Sequence, residues 1–465
     1  MVGTWRTSEV LLSCNVGFAF TMTFLGFDMK NFIEEGIIHS IAEQFPGRMD
    51  PHAGYYGLGI SYASFTLATL ISPVVVQWMG SRMSLFLSSC VFTAYMVGFI
   101  FLNTWVYYAI CVAMGIACGV IWTAQGVYIS QFTSKKNAVR NSGIVWAVNC
   151  LSFVFGAAML FIFFSTTDNM VLSETVVRYV FGGFVASCIV GNIAFLVLPT
   201  QPAKHGTDLS ITSCIAKNFH VMTDRRMQIL TIPFIHIGIY TSHLLGIFPT
   251  CMLFSEQLRS TVGNQLTAYY GLAIGIGEIL AGIAIGFYSK RTKGEKLLPL
   301  VAVALPLHLL SYLLTYLCFH KNSKFEITNE PAYFDTTLWV SMIIALLIAM
   351  GDICWNTVRG AYLTTYFTNN QSQVFAMSKF FQSIGSCATY LLGKYIDLHD
   401  QLLINILLTV ASSIAYYIVI RDDERRREVE KEADEEKDKK EAKISCISNK
   451  QLVFDSNDIN IKCDV

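Results

Sequence analysis

Ionisable and amide side chains inside otherwise apolar runs are the residues of this chain that could do chemistry. Glu278 lies near the middle of one run, and Asp352 lies in another with Asn356 and Arg359 four and seven positions further on, on one helix face. Lys379 lies in the next run, at a depth similar to that of Asp352. Because a charge left in hydrocarbon is costly unless it is paired or hydrated, we predict that Asp352 and Lys379 form an ion pair.

A second polar line lies in another apolar run, where His236, Tyr240 and His243 follow at spacings of four and three. Gln125 and Asn149 add uncharged hydrogen-bonding groups in two further runs. Histidine titrates near neutral pH, so this line could contact a solute or relay protons. The alternative is that these groups, and the predicted ion pair, only fix the packing of helices against one another.

The apolar runs themselves indicate a membrane protein. Of the 465 residues, 53% are hydrophobic, and the mean hydropathy is +0.49. Crossing about 30 Å of hydrocarbon takes roughly 20 residues. Twelve runs reach that length, at residues 11–33, 54–78, 83–102, 105–130, 141–164, 177–198, 229–254, 267–288, 297–319, 335–358, 374–393 and 401–420. We therefore predict an all-α membrane protein with twelve transmembrane helices.

The distribution of charge predicts the orientation. The formal net charge is zero, which gives no indication of a nucleic-acid partner. Lysine and arginine are concentrated in alternate loops, among them the cluster Lys290, Arg291, Lys293 and Lys296. By the positive-inside rule these loops and both termini are cytosolic. We expect the plasma membrane to be the site of residence, with an endosomal or lysosomal membrane as the alternative.

Weak internal repetition divides the runs into two sets of six. Ala113-Met-Gly115 recurs as Ala349-Met-Gly351, in the fourth and tenth runs. Two six-helix halves in parallel repetition are typical of the major facilitator fold. The predicted segments are a cytosolic N-terminus at 1–10, an N-terminal half at 11–198, a cytoplasmic linker at 199–228, a C-terminal half at 229–420 and a charged, disordered cytosolic tail at 421–465.

Small residues recur on one face of the second and eighth runs. At spacings of three and four, this face predicts close helix packing. The first set is Gly57, Ser61, Ser64, Ala68 and Ser72, and the second, 214 positions later, is Gly271, Gly275, Gly282 and Gly286 with Glu278 as the outlier.

Signatures of catalysis are not found in the sequence. It contains no glycine-rich phosphate loop, no nucleophile triad and no Cys/His metal spacing among its 13 cysteines. We therefore expect neither an enzyme nor a cofactor or metal site.

Five motifs, in order along the chain, resemble the Uncoordinated-93 (Unc-93-like) family of the major facilitator superfamily. They are Gly119-Val-Ile-Trp-Thr-Ala-Gln-Gly126, Arg140-Asn-Ser-Gly-Ile144, Gly275-Ile-Gly-Glu-Ile-Leu-Ala-Gly282, Gly351-Asp-Ile-Cys-Trp-Asn-Thr357 and Phe375-Ala-Met-Ser-Lys-Phe-Phe-Gln-Ser-Ile384. The resemblance implies a twelve-helix transporter fold. It also implies two classes of function, because the founding member is a regulatory partner of a potassium channel and a vertebrate relative is a receptor chaperone.

One stretch departs from the superfamily. Conventional members resemble one another in a loop whose aspartate and basic residues latch the cytoplasmic face. The aligned stretch here has Pro73 in place of the opening glycine and Gln77 in place of the aspartate, with Arg82 as the final basic residue. A neutral amide makes weaker bonds than a carboxylate, so the latch is weakened.

The weakened latch and the resemblance favour a regulator or chaperone of another membrane protein, in first place a potassium channel regulatory subunit. The partners expected are then the lipid bilayer and a channel or receptor subunit. The alternative is a secondary transporter of a small solute, with proton coupling through the buried acids and histidines.

Overall fold

The computed structural model describes residues 9–50, 52–132, 138–165, 174–200, 210–292, 296–367 and 371–459. Within them the chain is helical apart from short connections and one isolated bridge between Ser255 and Thr328. The first set of helices is α1 Glu9–Gln44, α2 Ala53–Met79, α3 Ser81–Ile100, α4 Thr104–Phe132, α5 Ala138–Asn149, α6 Leu151–Ser165, α7 Glu174–Leu196 and α8 Ile211–Met222. The second set is α9 Arg225–Ser242, α10 Phe248–Leu253, α11 Glu256–Val262, α12 Leu266–Thr292, α13 Leu298–Cys318, α14 Leu338–Tyr366, α15 Gln371–Leu392 and α16 Leu398–Ile459.

The helices form the major-facilitator arrangement of two six-helix halves. Inside the N-terminal half, α2 packs on α4 and α1 packs on α7, whereas inside the C-terminal half α9 packs on α15 and α12 packs on α14. Two further pairs join the halves, α2 with α15 and α6 with α12. These four helices therefore make most of the contact between the halves, and α1 adds to the seam through Met29 and Phe32.

Eleven helices of the described chain are long and apolar enough to cross a membrane. The one predicted span that is not among these eleven is the span at 374–393, which corresponds to α15, a helix of 22 residues that packs between α2 and α9. It carries Lys379 and Gln382, which lower its hydropathy, and both side chains face other helices of the bundle. A span can be polar where its neighbours cover it.

The first helix is longer than the predicted span. The apolar run predicts a span at 11–33, whereas α1 extends from Glu9 to Gln44 and includes Glu34 and Glu35. Both carboxyls are buried, Glu34 completely. The length of an apolar run thus underestimates the length of a helix whose charged side chains are buried inside the protein.

The seventh span is interrupted. Asp224 caps α9, its carboxylate accepting from the backbone nitrogen of Arg226, and residues His243–Ile247 then form a π-helical turn before α10. The π turn widens the helix at His243. Such turns occur frequently at functional sites.

The first small-residue stripe packs against α4 within its own half. Ser61 donates to the carbonyl oxygen of Cys111 at 3.1 Å, and Ser72 bonds to Thr123 at 2.7 Å. Gly57 lies against Tyr107, and Ser64 and Ala68 each lie against a glycine of α4. Small side chains here allow close helix approach.

The second stripe behaves differently along its length. Gly271 lies against Met29 and Gly275 against Val154, both in the other half, so this part helps to form the seam. At Gly282 and Gly286, no described atom lies within 4 Å of where a Cβ would stand. The expected close packing is therefore seen only in the first part of the second stripe.

Two segments outside the spans contain helices. The linker at 199–228 contains α8, whose Asn218 donates to the carbonyl oxygen of Leu70 at 3.3 Å, while residues 201–209 lie outside the described chain. The mixed charge of the tail is compatible with disorder or with a solvated helix, and residues 421–459 are helical, while 460–465 are outside the described chain. Interleaved acids and bases at helical spacing favour a solvated helix.

Candidate functional site

A hydrogen-bonded chain of side chains links α14 to α15 inside the bundle. Asn356 donates to Asp352 Oδ1 at 2.9 Å, and its own Oδ1 accepts from Arg359 at 2.6 Å. Arg359 also donates to Gln382 Oε1 at 2.6 Å, and Lys379 Nζ donates to that same oxygen at 3.2 Å. The sequence analysis predicted four of these five residues as candidates, and Gln382 is the one that it did not include.

The predicted Asp352–Lys379 ion pair is not a direct contact. Among the described residues, no salt bridge joins them, and they are instead the two ends of the chain. Arg359 lies between them in the chain of hydrogen bonds. It follows Asp352 by two helical turns, and its guanidinium group reaches Gln382 on α15. Lys379 lies over the ring of Trp122 in the other half, with Nζ 5.2 Å from the ring centre, a cation–π geometry.

Glu278 is the acid with the fewest partners. It is 5% exposed on α12, and its Oε2 has no hydrogen-bond partner among the described residues. The thiol of Cys150, at the junction of α5 and α6, is its hydrogen-bonding neighbour. Asp352 and Asp28 are near enough to interact with it electrostatically. Three carboxyls from both halves, Glu278, Asp352 and Asp28, therefore act electrostatically on Cys150, and we call them the carboxyl cluster.

A group of charged residues on α1 was missed by the sequence reasoning. Lys30 and Glu34 form an ion pair one helical turn apart, and both are fully buried. Asp28 accepts from Ser152 at 2.8 Å, and Glu35 accepts from the backbone nitrogen of Tyr55 at 3.0 Å. The available signal was the four-residue spacing of Lys30 and Glu34 at the end of an apolar run.

Aromatic residues enclose the Lys30–Glu34 pair. The hydroxyls of Tyr95 and Tyr107 donate to Glu34 Oε1 at 3.0 and 2.6 Å. Lys30 Nζ lies 5.2 Å from the ring centre of Phe27 and 4.9 Å from that of Tyr95. Each charge thus has a hydrogen-bonded or π partner, which a buried ion pair needs to be tolerated.

The predicted line on α9 divides between two environments. Tyr240 lies within 3.4 Å of Asn356 Nδ2, so it joins the α14 chain. His236 Nε2 bonds to Thr409 of α16 at 2.9 Å, whereas neither ring nitrogen of His243 has a partner among the described residues. The line thus faces the interior of the C-terminal half.

The two remaining polar candidates lie in the N-terminal half. Gln125 is half-buried on α4, one turn after Trp122. Asn149 is 7% exposed at the end of α5, next to Cys150, and its Oδ1 has no partner among the described residues. Asn149 is therefore close in sequence to the carboxyl cluster, and Gln125 to the cation–π contact.

One end of the seam is closed by aromatic side chains. Phe32 packs edge-on against Tyr270, with ring centres 4.8 Å apart, and Tyr55 stacks with Tyr390 at 6.5 Å. The Tyr55 hydroxyl also donates to the carbonyl oxygen of Lys324 at 3.1 Å. These four rings are at most 2% exposed. This sealed end is the one that carries residues 45–50 and 319–337.

Further along the seam, side chains keep accessible surface. Trp122, Asn356 and Lys379 are only half-buried, although they belong to three different helices that meet between the halves. Of the residues in the expected latch, Arg82 donates to the carbonyl oxygen of Leu198 at 3.2 Å, within the N-terminal half. Its neighbour Ser81 donates to Gln131 of the same half at 2.7 Å.

Two titrating groups lie just outside the spans at the sealed end. The hydrogen bond from the His52 ring to the Glu35 carboxylate raises the pKa of His52 above its ordinary 6.5. Burial lowers the pKa of Lys324 from 10.5 to about 8, and its Nζ donates to Gln401 at 3.0 Å. A cavity of 410 Å³ opens nearby, lined by residues of 255–260 and 319–336, away from the chain on α14.

No group of three or more His, Cys, Asp or Glu side chains in the described parts of the chain could hold a metal ion. The carboxyl cluster around Cys150 can bind and release protons, and the Arg359–Lys379 end can bind an anionic group. The arrangement therefore offers ionic binding and proton exchange.

Comparison with known proteins identifies relatives over most of the chain. A family model described as "Ion channel regulatory protein UNC-93" matches residues 45–417. UNC93-like protein MFSD11 of Xenopus tropicalis is 27% identical over 432 residues, covering 87% of this chain and 94% of the relative. Protein unc-93 homolog A of Bos taurus is 19% identical, covering 77% of this chain and 85% of the relative. The resemblance predicted from the motifs is confirmed.

Solved structures share the fold. The crystal structure of the nucleoside transporter NupG superposes with a TM-score of 0.58 at 13% identity, covering 88% of this chain and 98% of that one. The crystal structure of a mutant of the same transporter gives a TM-score of 0.59 at 12% identity, with 88% and 99% covered. At such identity the likeness carries over the architecture alone.

Proposed function

The chain belongs to the UNC-93 family, and we propose that within this fold it works as a proton-coupled secondary transporter of a small solute. The observation that carries the proposal is the Asp352–Lys379 chain, which lies between the halves and keeps accessible surface at Asn356 and Lys379. An ion pair that only fixes packing can be completely enclosed, as Lys30 and Glu34 are. Partly accessible charged groups at mid-membrane are typical of binding sites.

The shape of the seam supports the same proposal. Aromatic rings seal one end, while the half-buried groups lie beyond them. A scaffold requires no such asymmetry, whereas alternating access requires inward- and outward-facing states in which one end is closed and the other is accessible. We infer that the accessible end is the predicted cytosolic one.

Coupling is assigned to Glu278. Its carboxyl is buried, has one oxygen without a described partner and interacts with acids of both halves. Its charge therefore changes the energy of bringing the halves together at Cys150. Protonation favours the packed seam, and ionisation favours any state in which water reaches the carboxyl.

The test is a comparison of solute accumulation in cells that express the wild-type chain or Glu278→Gln, with untargeted mass spectrometry of the cell contents. We expect at least one small solute whose accumulation depends on the wild-type chain and on external pH, and whose pH dependence is lost in Glu278→Gln. Gly282→Ala is the matched control on the same helix, since a Cβ there has open space. Equal solute profiles for wild type, Glu278→Gln and empty membranes would contradict transport.

A second candidate is a regulator of another membrane protein, in first place a potassium channel. It is favoured by the description of the matching family and by the weakened latch, where Arg82 bonds inside its own half. The test is cross-linking in native membranes followed by affinity capture, with an unrelated twelve-helix transporter as control. A channel subunit recovered near one-to-one, with currents altered by co-expression, would favour this candidate. Recovery equal to the control would reject it.

A further inference from the structure

The C-terminal half contains a second group of buried polar side chains, separate from the seam. They lie on α9, α14 and α16 and at the π turn after α9, and each has at least one nitrogen or oxygen without a partner among the described residues. We call them the C-half chamber: His236, His243, Trp355, Asn405, Ser412 and Tyr416.

One face of α16 contributes a row of polar side chains to the chamber. Gln401, Asn405, Thr409, Ser412 and Tyr416 follow one another at spacings of four and three, which places them on one side of the helix. Asn405 Nδ2 donates to the carbonyl oxygen of Gln401 at 3.1 Å. At the sealed end, Gln401 accepts from Lys324. A polar stripe thus runs from the loop at 319–337 into the middle of the half.

The contacts of Thr409 assign a tautomer to His236. The Thr409 hydroxyl lies 2.7 Å from the carbonyl oxygen of Asn405, to which it donates its hydrogen. With that donor used, Thr409 accepts from His236 Nε2, which lies 2.9 Å away. In the neutral ring this leaves the lone pair on Nδ1, and that atom has no partner among the described residues.

In contrast, both ring nitrogens of the neighbouring His308 have hydrogen-bond partners. Its Nε2 lies 3.2 Å from the carbonyl oxygen of Ile348, which can only accept, so Nε2 carries the hydrogen. Its Nδ1 then accepts from the hydroxyl of Tyr312 at 3.3 Å. The ring centres of His236 and His308 are 6.2 Å apart. The two rings differ in that His236 has a basic nitrogen without a described partner, whereas His308 has none.

Further buried polar atoms beside His236 and at the π turn also lack partners among the described residues. Trp355 Nε1 is a donor without a described partner, and the Trp355 and His236 rings are perpendicular, with centres 5.4 Å apart. His243, at the start of the π turn, lacks described partners on both nitrogens. Buried polar atoms left dry cost about 1–3 kcal/mol each, and ordered water typically satisfies them.

We propose that the C-half chamber is a hydrated proton-binding site, with His236 Nδ1 as the atom that takes up the proton. A hydronium ion transfers one proton to Nδ1, which forms an N–H bond and leaves a neutral water and an imidazolium. Release is the reverse step. The proposal goes beyond solute transport and holds whether or not the protein transports.

The groups that surround His236 bear on its charge. On its own helix Tyr240 follows one turn later, and α13 presents His308 and Tyr312. Trp355 of α14 and Thr409 of α16 contact His236 directly. The charged side chains of this region, Asp352 and Arg359 of α14, act on the neighbouring Tyr240, and Gln382 and Ser386 of α15 lie against Gly238.

Nuclear magnetic resonance of the full chain in detergent tests both parts. With ¹⁵N-labelled histidine, assigned through His236→Gln, we expect His236 to change reversibly from the neutral to the protonated form between about pH 8 and pH 5. His308 is the internal control and stays neutral in the same spectra. A folded protein in which His236 keeps the neutral form throughout would overturn the proton-binding part.

The second readout is the indole hydrogen of Trp355, assigned through Trp355→Phe. In a hydrated chamber it gives a cross-peak to water and exchanges within minutes of transfer into deuterium oxide. Persistence for hours would overturn the hydration. Both readouts are taken on the wild-type protein, and His236→Asn is the second assignment variant if His236→Gln does not fold.

Discussion

At the scale of single residues, the buried charges fall into two kinds. Lys30 and Glu34 neutralise each other and fill their remaining hydrogen-bonding capacity with Tyr95 and Tyr107. Glu278 has one oxygen without a described partner. The first arrangement stabilises a fold, and the second stores an unfavourable energy that protonation relieves.

The enclosed pair predicts a specific pattern of stabilities. Removing one partner of a buried pair costs about 3–5 kcal/mol, because the other charge is left alone. We therefore expect Lys30→Met to lower the thermal unfolding temperature in detergent strongly. The double variant Lys30→Met with Glu34→Gln should regain most of the loss, since the amide oxygen still accepts from both tyrosines. A double variant as unstable as the single one would contradict the account.

His52 predicts a pH dependence. Its pKa in the folded protein is raised above 6.5 by the Glu35 carboxylate, so its stabilising contribution is complete below pH 6.5 and is lost as the pH rises through the folded pKa. We expect the unfolding temperature of the wild type to fall more than that of His52→Gln between about pH 6 and pH 9. Parallel curves for the two proteins would count against the bond.

The sequence identified only some of the buried ionisable residues. Glu278, Asp352, Asn356, Arg359 and Lys379 were found because each interrupts an apolar run. The acids and lysine of α1 were missed because they come at the end of a run, where charge normally marks the membrane surface. Side-chain direction decides such cases, and it depends on tertiary packing.

At the scale of helices, close approach is set by individual glycines rather than by the whole of each stripe. Gly238 of α9 faces the backbone carbonyl of Gln382 on α15, and Gly385 of α15 faces that of Ile235. Ser386 donates to the carbonyl oxygen of Gly238 at 2.8 Å. The spacing rule identified the stripes on α2 and α12, but Gly238 and Gly385 have no such repeat.

Two glycine variants test this distinction. A methyl group at Gly238 would press on backbone, which cannot move aside, so Gly238→Ala should destabilise by about 1–3 kcal/mol as overpacking does. Gly282→Ala adds the same methyl group into open space and should be neutral or stabilising by up to about 1 kcal/mol through helix propensity. Thermal unfolding in detergent measures both. Equal effects at the two sites would contradict the packing.

At the scale of the whole molecule, the architecture was largely predictable and the state of the seam was not. Length, hydropathy and internal repetition indicated twelve helices in two halves, since membrane thickness constrains them. The aromatic seal at Phe32, Tyr55, Tyr270 and Tyr390 joins residues from distant parts of the chain. No local pattern encodes such a contact.

We propose that the two halves alternate between two arrangements and that Glu278 couples this motion to protons. The most direct measurement is double electron–electron resonance on spin labels at two pairs of positions, in a background with the reactive cysteines replaced. One pair is Trp78→Cys with Phe287→Cys at the predicted cytosolic end, and the other is Phe45→Cys with Tyr333→Cys at the sealed end, all on exposed side chains.

Between about pH 7.5 and pH 5.5, we expect the two distances to change with opposite sign, one end closing as the other opens, and we expect Glu278→Gln to abolish both changes. Distances that stay constant with pH, or that change identically in Glu278→Gln, would contradict the account and favour a rigid regulatory scaffold.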